Sequence, residues 1–159
     1  MACNDKHQYK FGHGSDAAHR QDQALFQQLL ENHWKLNRKT AILPNGIRAI
    51  TRSTDAALVK VLQEHVAGMK ARFEGGRAIR SWDPLFAALF EFRHQIQFHY
   101  ENEPDGVIAE LTSEDAKIVE LIIAHDETLH HFIRAGYNIS GEPAPAPQWV
   151  LEHYNENDR

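Results

Sequence analysis

The chain has little of what disulfides, cysteine metal sites or membrane spans require. It contains a single cysteine, Cys3, so it forms neither an internal disulfide nor a Cys-x-x-Cys metal pair. No uninterrupted apolar run approaches the roughly 20 residues that a membrane-spanning helix needs. The polar N-terminus has no apolar segment typical of a signal peptide. We therefore expect a soluble, cytoplasmic protein without membrane association.

The sequence also lacks two motifs of enzyme active sites, the Gly-x-Ser-x-Gly nucleophile elbow and the His-Glu-x-x-His zinc motif. Motifs of nucleic-acid recognition are absent as well. Arg72, Arg77 and Arg80 form a modest basic cluster, but no aromatic platform for base stacking accompanies them. We therefore expect no nucleic-acid partner.

What the sequence does contain is an internal repeat. Residues 21–76 align with residues 81–136 without a gap, and 13 of the 56 aligned positions are identical. The identical pairs are Leu25 with Leu85, Phe26 with Phe86, Leu29 with Leu89, Glu31 with Glu91, Pro44 with Pro104, Gly46 with Gly106, Ala49 with Ala109, Ser53 with Ser113, Asp55 with Asp115, Ala56 with Ala116, Val59 with Val119, His65 with His125 and Gly76 with Gly136. A repeat of this kind determines the architecture of the chain.

The repeat divides the chain of 159 residues into three parts. Residues 21–80 (copy one) and 81–136 (copy two) are predicted to form one domain, because about 60 residues alone bury so little surface that they are only marginally stable. The polar residues 1–20 predict a flexible N-terminal tail. Residues 137–159 contain a Pro-rich linker and a C-terminal tail with several apolar residues, which we expect to pack on the domain.

Each copy has the pattern helix, strand, turn, strand, helix. Alternating segments flank Pro44-Asn45-Gly46 and Pro104-Asp105-Gly106, which is typical of β-hairpins, and Asp55 and Asp115 are placed to cap long second helices. Because a lone hairpin is unstable in water, we predict an α+β fold. In it, two αββα repeats related by a pseudo-twofold axis form a four-stranded antiparallel sheet covered by helices. The alternative is a four-helix bundle in which the turn segments are loops.

The two copies differ in charge. The whole chain has a net charge of −5. Residues 21–80 contain ten Lys and Arg against five Asp and Glu, a net +5, whereas residues 81–136 contain three against eleven, a net −8. Opposite charges of this kind attract either between the copies or between neighbouring molecules, so a homodimer is one hypothesis. The alternative is that both faces are simply solvated.

One histidine is preserved in each copy, His65 and His125. Both lie in an apolar stripe of the predicted second helices, so we expect both rings to face inward. Neutral imidazole is a good ligand for zinc, copper, iron and nickel, and two rings related by a twofold axis would hold a transition metal or a heme iron. The alternative is that each ring is an inherited, semi-buried group bonded to a backbone carbonyl. No third metal ligand is indicated.

A second histidine pattern also occurs twice. Glu91 with His94 and Glu127 with His130 have the Glu-x-x-His spacing of di-iron carboxylate bundles. The two pairs occupy different helices of the repeat, and 13 glutamates and 11 histidines in one chain produce such pairs by chance. We assign no metal site to them.

Four segments have a distinctive sequence: residues 76–86 (GRAIRSWDPLF), residues 105–107 (DGV), residues 111–113 (LTS) and residues 123–125 (IAH). They resemble a group of bacterial proteins with no established activity. The resemblance covers residues 21–136 and implies a duplicated αββα unit with a histidine in each second helix. Ala56 and Ala116 depart from the group, which has proline after the capping aspartate. The resemblance implies no catalytic residue.

These features support three hypotheses about function. In the first, the protein binds a small ligand, a transition metal or a heme between the copies through His65 and His125. In the second, it is an interaction or structural module without a cofactor. In the third, it is an enzyme in which a histidine of the same cleft acts as a general base, since histidine titrates near neutral pH. We favour the first.

Overall fold

A computed structural model describes residues 17–78, 80, 82–136 and 141–157. These residues form five α-helices and a four-stranded antiparallel sheet. The predicted α+β fold is therefore confirmed, and the alternative four-helix bundle is wrong. Of the described helices, none combines the length and the apolar character needed to cross a lipid bilayer.

The elements of the two copies follow the same order. Copy one contains α1 (Ala17–Glu31), a short 3-10 helix (His33–Lys35), β1 (Asn37–Leu43), β2 (Gly46–Arg52) and α2 (Ala56–Gly75). Copy two contains α3 (Pro84–Glu91), a short 3-10 helix (Arg93–Gln95), β3 (Gln97–Glu103), β4 (Gly106–Thr112) and α4 (Ala116–Ala135). A final helix, α5 (Gln148–Asn157), follows the Pro-rich segment.

The long second helices begin at aspartate caps, as predicted. The Asp55 carboxylate accepts hydrogen bonds from the backbone N–H groups of Ala57 and Leu58, at 3.0 and 3.2 Å. The Asp115 carboxylate accepts one from Lys117 at 2.8 Å. Each of these bonds satisfies a backbone donor that the first turn of a helix leaves without a partner.

The order of the strands in the sheet is β1-β2-β4-β3. Each hairpin pairs within its own copy, and the central strands β2 and β4 join the copies. Two further backbone bonds flank this junction: Ser53 donates to the Asp105 carbonyl at 3.0 Å, and Ser113 donates to the Asn45 carbonyl at 2.9 Å. These residues are equivalent in the repeat, so the two bonds are related by the predicted pseudo-twofold axis.

The helices lie on one face of the sheet and exchange partners between the copies. Helix α2 packs against β3 and β4, whereas α4 packs mainly against β1 and β2 and also contacts β4. The main core contains buried residues of both copies, among them Ile47, Ala49, Leu85, Leu111 and Ile122. The second helix of each copy is therefore buried mainly on the hairpin of the other copy.

The segments outside the repeat differ in how much of each the structure describes. Cys3 and the rest of residues 1–16 lie outside the described residues, while residues 17–20 belong to α1. Residues 137–140 and 158–159 also lie outside them. Helix α5 packs against α3, with Val150 fully buried and the Tyr154 hydroxyl donating to Glu91 at 2.9 Å. The prediction that the C-terminal apolar residues pack on the domain is confirmed for these two.

Candidate functional site

A cavity of about 210 Å³ lies among the helices and the inner face of the sheet, and it is lined by residues of both copies. Most of the lining is apolar. The aromatic members are Phe26, Phe73, Phe86, Phe90, Phe98 and Phe132. The members with polar side chains are His33, Arg38, Thr51, His65, Arg80 and His125. The structure thus brings His65 and His125 to one cavity.

The two histidines occupy corresponding places on α2 and α4. The His65 ring stacks on Phe26 with the ring centres 5.9 Å apart, and the His125 ring meets the edge of Phe86 at 5.5 Å. Since Phe26 and Phe86 are also equivalent, the repeat preserves a phenylalanine–histidine pair in each half. The ring planes differ, at 19° in the first pair and 79° in the second.

Both imidazoles are neutral at pH 7. Burial lowers the pKa of His65 to about 4, against a smaller opposing effect of Asp22. Burial also lowers the pKa of His125 to about 4, where the positive charge of Arg38 acts in the same direction and Asp126 opposes it. Surrounding protein removes most of the water that would stabilise an imidazolium ion.

One ring nitrogen of His65 differs from most buried polar atoms in its hydrogen bonding. Its Nδ1 atom is buried and has no hydrogen-bond partner among the described residues. Burial of a polar atom without a hydrogen bond costs free energy, and in native proteins such atoms are uncommon. For this nitrogen, the alternative of a ring bonded to a backbone carbonyl does not hold.

A buried ionic network lies beside His125. The Asp126 carboxylate accepts hydrogen bonds from Arg38, through Nε at 3.1 Å and Nη2 at 2.8 Å, and from the Thr40 hydroxyl at 2.8 Å. Arg38 also donates to the Thr51 hydroxyl at 3.1 Å, and His130 Nε2 lies 2.9 Å from Thr40 Oγ1. The charge of the Arg38 guanidinium is therefore balanced within the protein.

This network has no counterpart at the His65 end of the cavity. The residues equivalent to Arg38, Thr40, Thr51, Asp126 and His130 are Phe98, Tyr100, Leu111, Val66 and Lys70. Three of these residues are apolar, and Tyr100 carries its hydroxyl group on an aromatic ring. Lys70 is the one charged residue among the five. The cavity thus combines a symmetric pair of histidines with one polar end and one apolar end.

Arg80 contributes a second guanidinium to the lining. It lies over three aromatic rings, at 4.5 Å from the ring centre of Trp82, 5.0 Å from that of Phe86 and 5.2 Å from that of Phe132. Its Nη2 donates to the Asp83 carboxylate at 2.9 Å. A non-glycine residue rarely adopts the left-handed backbone conformation that Arg80 has, with φ 54°.

Asp83 holds this side of the cavity together. Its carboxylate is fully buried and accepts from the Leu85 N–H at 3.1 Å, which caps α3. It also accepts from the Ala144 N–H at 3.0 Å, which attaches the Pro-rich segment. The sequence did not indicate Arg80 as a lining residue, because the connector between the copies has no helical or strand periodicity.

His33, His94 and His130 lie in different surroundings. His33 lines the cavity, where its Nδ1 lies 2.6 Å from the Ile133 carbonyl. Glu91 bonds to Tyr154 and His153 of α5, whereas His94 is exposed in the short 3-10 helix. His130 belongs to the network around Asp126.

The described residues do not assemble a metal site of three or more ligands, and the cavity is small for a heme. Within the described part of the chain, no group of three or more His, Cys, Asp or Glu side chains is placed to hold a metal. The cavity measures about 210 Å³, which is smaller than the roughly 300–1,000 Å³ of sites for drug-sized ligands.

Comparison of the chain with protein-family models, curated proteins and solved structures gives no match. The resemblance to a bacterial group therefore stays a prediction.

Proposed function

We propose that the protein binds a small, uncharged, largely apolar molecule in the cavity between the two copies, with His65 as the polar anchor. The observation that supports this most directly is the buried Nδ1 atom of His65, which has no hydrogen-bond partner among the described residues and belongs to a ring that lines the cavity. A ligand with one hydroxyl or N–H group would satisfy it.

The charges around the cavity favour a neutral ligand. Each guanidinium of the lining is paired with a carboxylate, Arg38 with Asp126 and Arg80 with Asp83. Both imidazoles are neutral at pH 7, since their pKa values lie at about 4. An anionic ligand would lose its hydration on entering the cavity, and it would meet no positive charge that is not already balanced by a carboxylate.

The size and lining of the cavity favour a single ring or a short chain. A cavity of about 150 Å³ lined by aliphatic and aromatic side chains is known to bind benzene, and this one measures about 210 Å³. Six phenylalanines line it, which suits a flat ring that packs against their faces and edges.

The low pKa values favour binding over catalysis. General bases work best when their pKa lies near the working pH. An imidazole with a pKa of about 4 accepts a proton weakly at pH 7. The histidines are therefore better suited to hydrogen bonding than to proton abstraction.

Calorimetric titration with small probes tests the proposal. We expect the neutral probes phenol and indole to bind and to raise the unfolding temperature, and the similarly sized anion benzoate to bind at least about tenfold more weakly. In His65→Phe, which keeps a ring, phenol should bind about fivefold more weakly, as expected for one lost hydrogen bond. Benzene has no polar group, so its affinity should not fall.

His131→Phe is the matched control, because His131 is exposed on α4 and does not line the cavity. It should bind phenol like the unchanged protein. Failure of both neutral probes to bind at millimolar concentration contradicts the proposal. Equal phenol affinity in His65→Phe and the unchanged protein contradicts the role of His65 as the anchor.

A further inference from the structure

The second face of the sheet points away from the helices. Among the described residues, the helices pack on the face of the sheet that contains Ile47, Ala49 and Thr51. The side chains of the intervening strand residues point to the opposite face. We call this other side the outer face. Its charged residues are Lys39, Arg48 and Arg52 on β1 and β2, and Glu101, Glu103 and Glu110 on β3 and β4.

Positive and negative charges are separated across the outer face. All three basic residues lie on the strands of copy one, and all three acidic residues lie on the strands of copy two. The register places Lys39, Ile50, Ile108 and Glu101 in one row across the four strands. The next row on this face contains Ala41, Arg48, Glu110 and His99.

The middle of the outer face is apolar. Ile50 and Ile108 pair with each other across β2 and β4, and both side chains are half-buried although no helix of the described structure covers them. Lys39 and Glu101, at the two ends of the same row, are exposed and form no ion pair with the described residues. The face therefore has an apolar centre with a basic side and an acidic side.

We propose that the outer face binds a second copy of this chain, face to face, around a twofold axis parallel to β2 and β4. Rotation about such an axis places β1 and β2 of one copy over β3 and β4 of the other. Lys39 then lies opposite Glu101 of the second copy, and Ile50 lies opposite Ile108. A twofold axis perpendicular to the strands would instead place basic residues over basic residues. This inference does not rest on the proposed ligand.

The dimensions of the face indicate a dimer of modest affinity. Four strands spaced about 4.8 Å apart, with seven residues each at about 3.3 Å per residue, give a face of roughly 20 by 23 Å. Two such faces together measure about 920 Å², below the roughly 1,200 Å² at which specific, stable interfaces begin, so the contact belongs to the small interfaces of weak, transient complexes. Because exposed charges contribute to the contact, salt should weaken it.

Analytical ultracentrifugation of the full chain tests the proposal through charge reversal. We expect the unchanged protein to dimerise at micromolar concentrations in 50 mM NaCl, and at least about tenfold more weakly in 500 mM NaCl. Lys39→Glu and Glu101→Lys should each weaken the homodimer at least tenfold, because each places like charges opposite one another. An equimolar mixture of the two variants should form a heterodimer as stable as the original dimer, because opposite charges then meet at both places.

Lys60→Glu and Glu120→Lys are the matched controls. They change the net charge by the same amounts at exposed, equivalent positions of α2 and α4, so they should change the dissociation constant less than twofold. A protein that stays monomeric at 200 µM in 50 mM NaCl overturns the proposal. Control variants that weaken the dimer as much as Lys39→Glu, or a mixture that stays monomeric, overturn the proposed face.

Discussion

Ala49 and Ala109 are equivalent residues of the two copies, and they pair with each other at the centre of the sheet. When a residue pairs with its own equivalent in a duplicated structure, the twofold axis that relates the two copies passes between the two residues. The pseudo-twofold axis therefore passes between Ala49 and Ala109, and every other pair along β2 and β4 is arranged around it. Both alanines lie on the inner face, and Ala109 lines the cavity.

Strands β2 and β4 each begin with a glycine, because the two strands approach too closely there for a side chain. A Cβ atom at Gly46 would lie 1.9 Å from the Leu111 carbonyl oxygen, and one at Gly106 would lie 1.9 Å from the Thr51 carbonyl oxygen. The two clashes are equivalent in the repeat. Both involve backbone atoms, which cannot move without disturbing the pairing of β2 with β4.

We predict that Gly46→Ala and Gly106→Ala each lower the free energy of unfolding by about 3 kcal/mol, through the clash and the local opening of the central pair. Urea unfolding measures the change. Gly75→Ala is the control, because a Cβ atom there contacts nothing within 4 Å at the end of α2. It should be neutral or stabilise the protein by less than about 1 kcal/mol. Equal stability of Gly46→Ala and Gly75→Ala would contradict the close approach.

The elements that local chemistry determines were predictable from the sequence. The hairpins follow from Pro44-Asn45-Gly46 and Pro104-Asp105-Gly106, and the caps of the second helices follow from Asp55 and Asp115. Both signals act within a few residues, so they do not depend on the rest of the fold. The inward orientation of His65 and His125 was predictable for the same reason, since it follows from helical periodicity.

Features that join distant parts of the chain were not predictable. Arg38 and Asp126 are 88 positions apart, and a charged residue in a strand or a helix normally indicates the solvent side. Their burial becomes visible only when α4 is seen to pack on the hairpin of copy one. The opposite net charges of the two copies could be counted from the sequence. Only the register of the strands shows that charges of both signs lie on the same face of the sheet.

The Arg38–Asp126 pair gives a second prediction. Asp126→Val should lower the free energy of unfolding by about 3–5 kcal/mol, because it leaves a buried guanidinium without its carboxylate. The double variant Arg38→Phe, Asp126→Val copies the equivalent residues Phe98 and Val66. It removes both charges together, so it should be more stable than Asp126→Val alone, as urea unfolding would show. A double variant that is less stable than the single one would contradict the assignment of the loss to an uncompensated charge.

The histidines give a prediction about pH. In the folded protein the pKa values of His65 and His125 are about 4, below the value of 6.5 for an unperturbed histidine. The unfolded chain therefore binds protons more readily, and the stability contributed by each neutral ring is complete above pH 6.5 and is lost as the pH falls towards 4. Each histidine should lower the free energy of unfolding by about 1.4 kcal/mol per pH unit in this window.

His65→Phe and His125→Phe should each remove about half of this dependence on pH, because phenylalanine does not titrate. The measurement is urea unfolding at pH 7, 6, 5 and 4.5, with the slope of each variant compared with that of the unchanged protein. His131→Phe, at an exposed position of the same helix as His125, should leave the slope unchanged. A slope in His65→Phe equal to that of the unchanged protein would show that the His65 ring is not kept neutral by burial. In that case the imidazole could be charged at the cavity, and the argument for an uncharged ligand would fail with it.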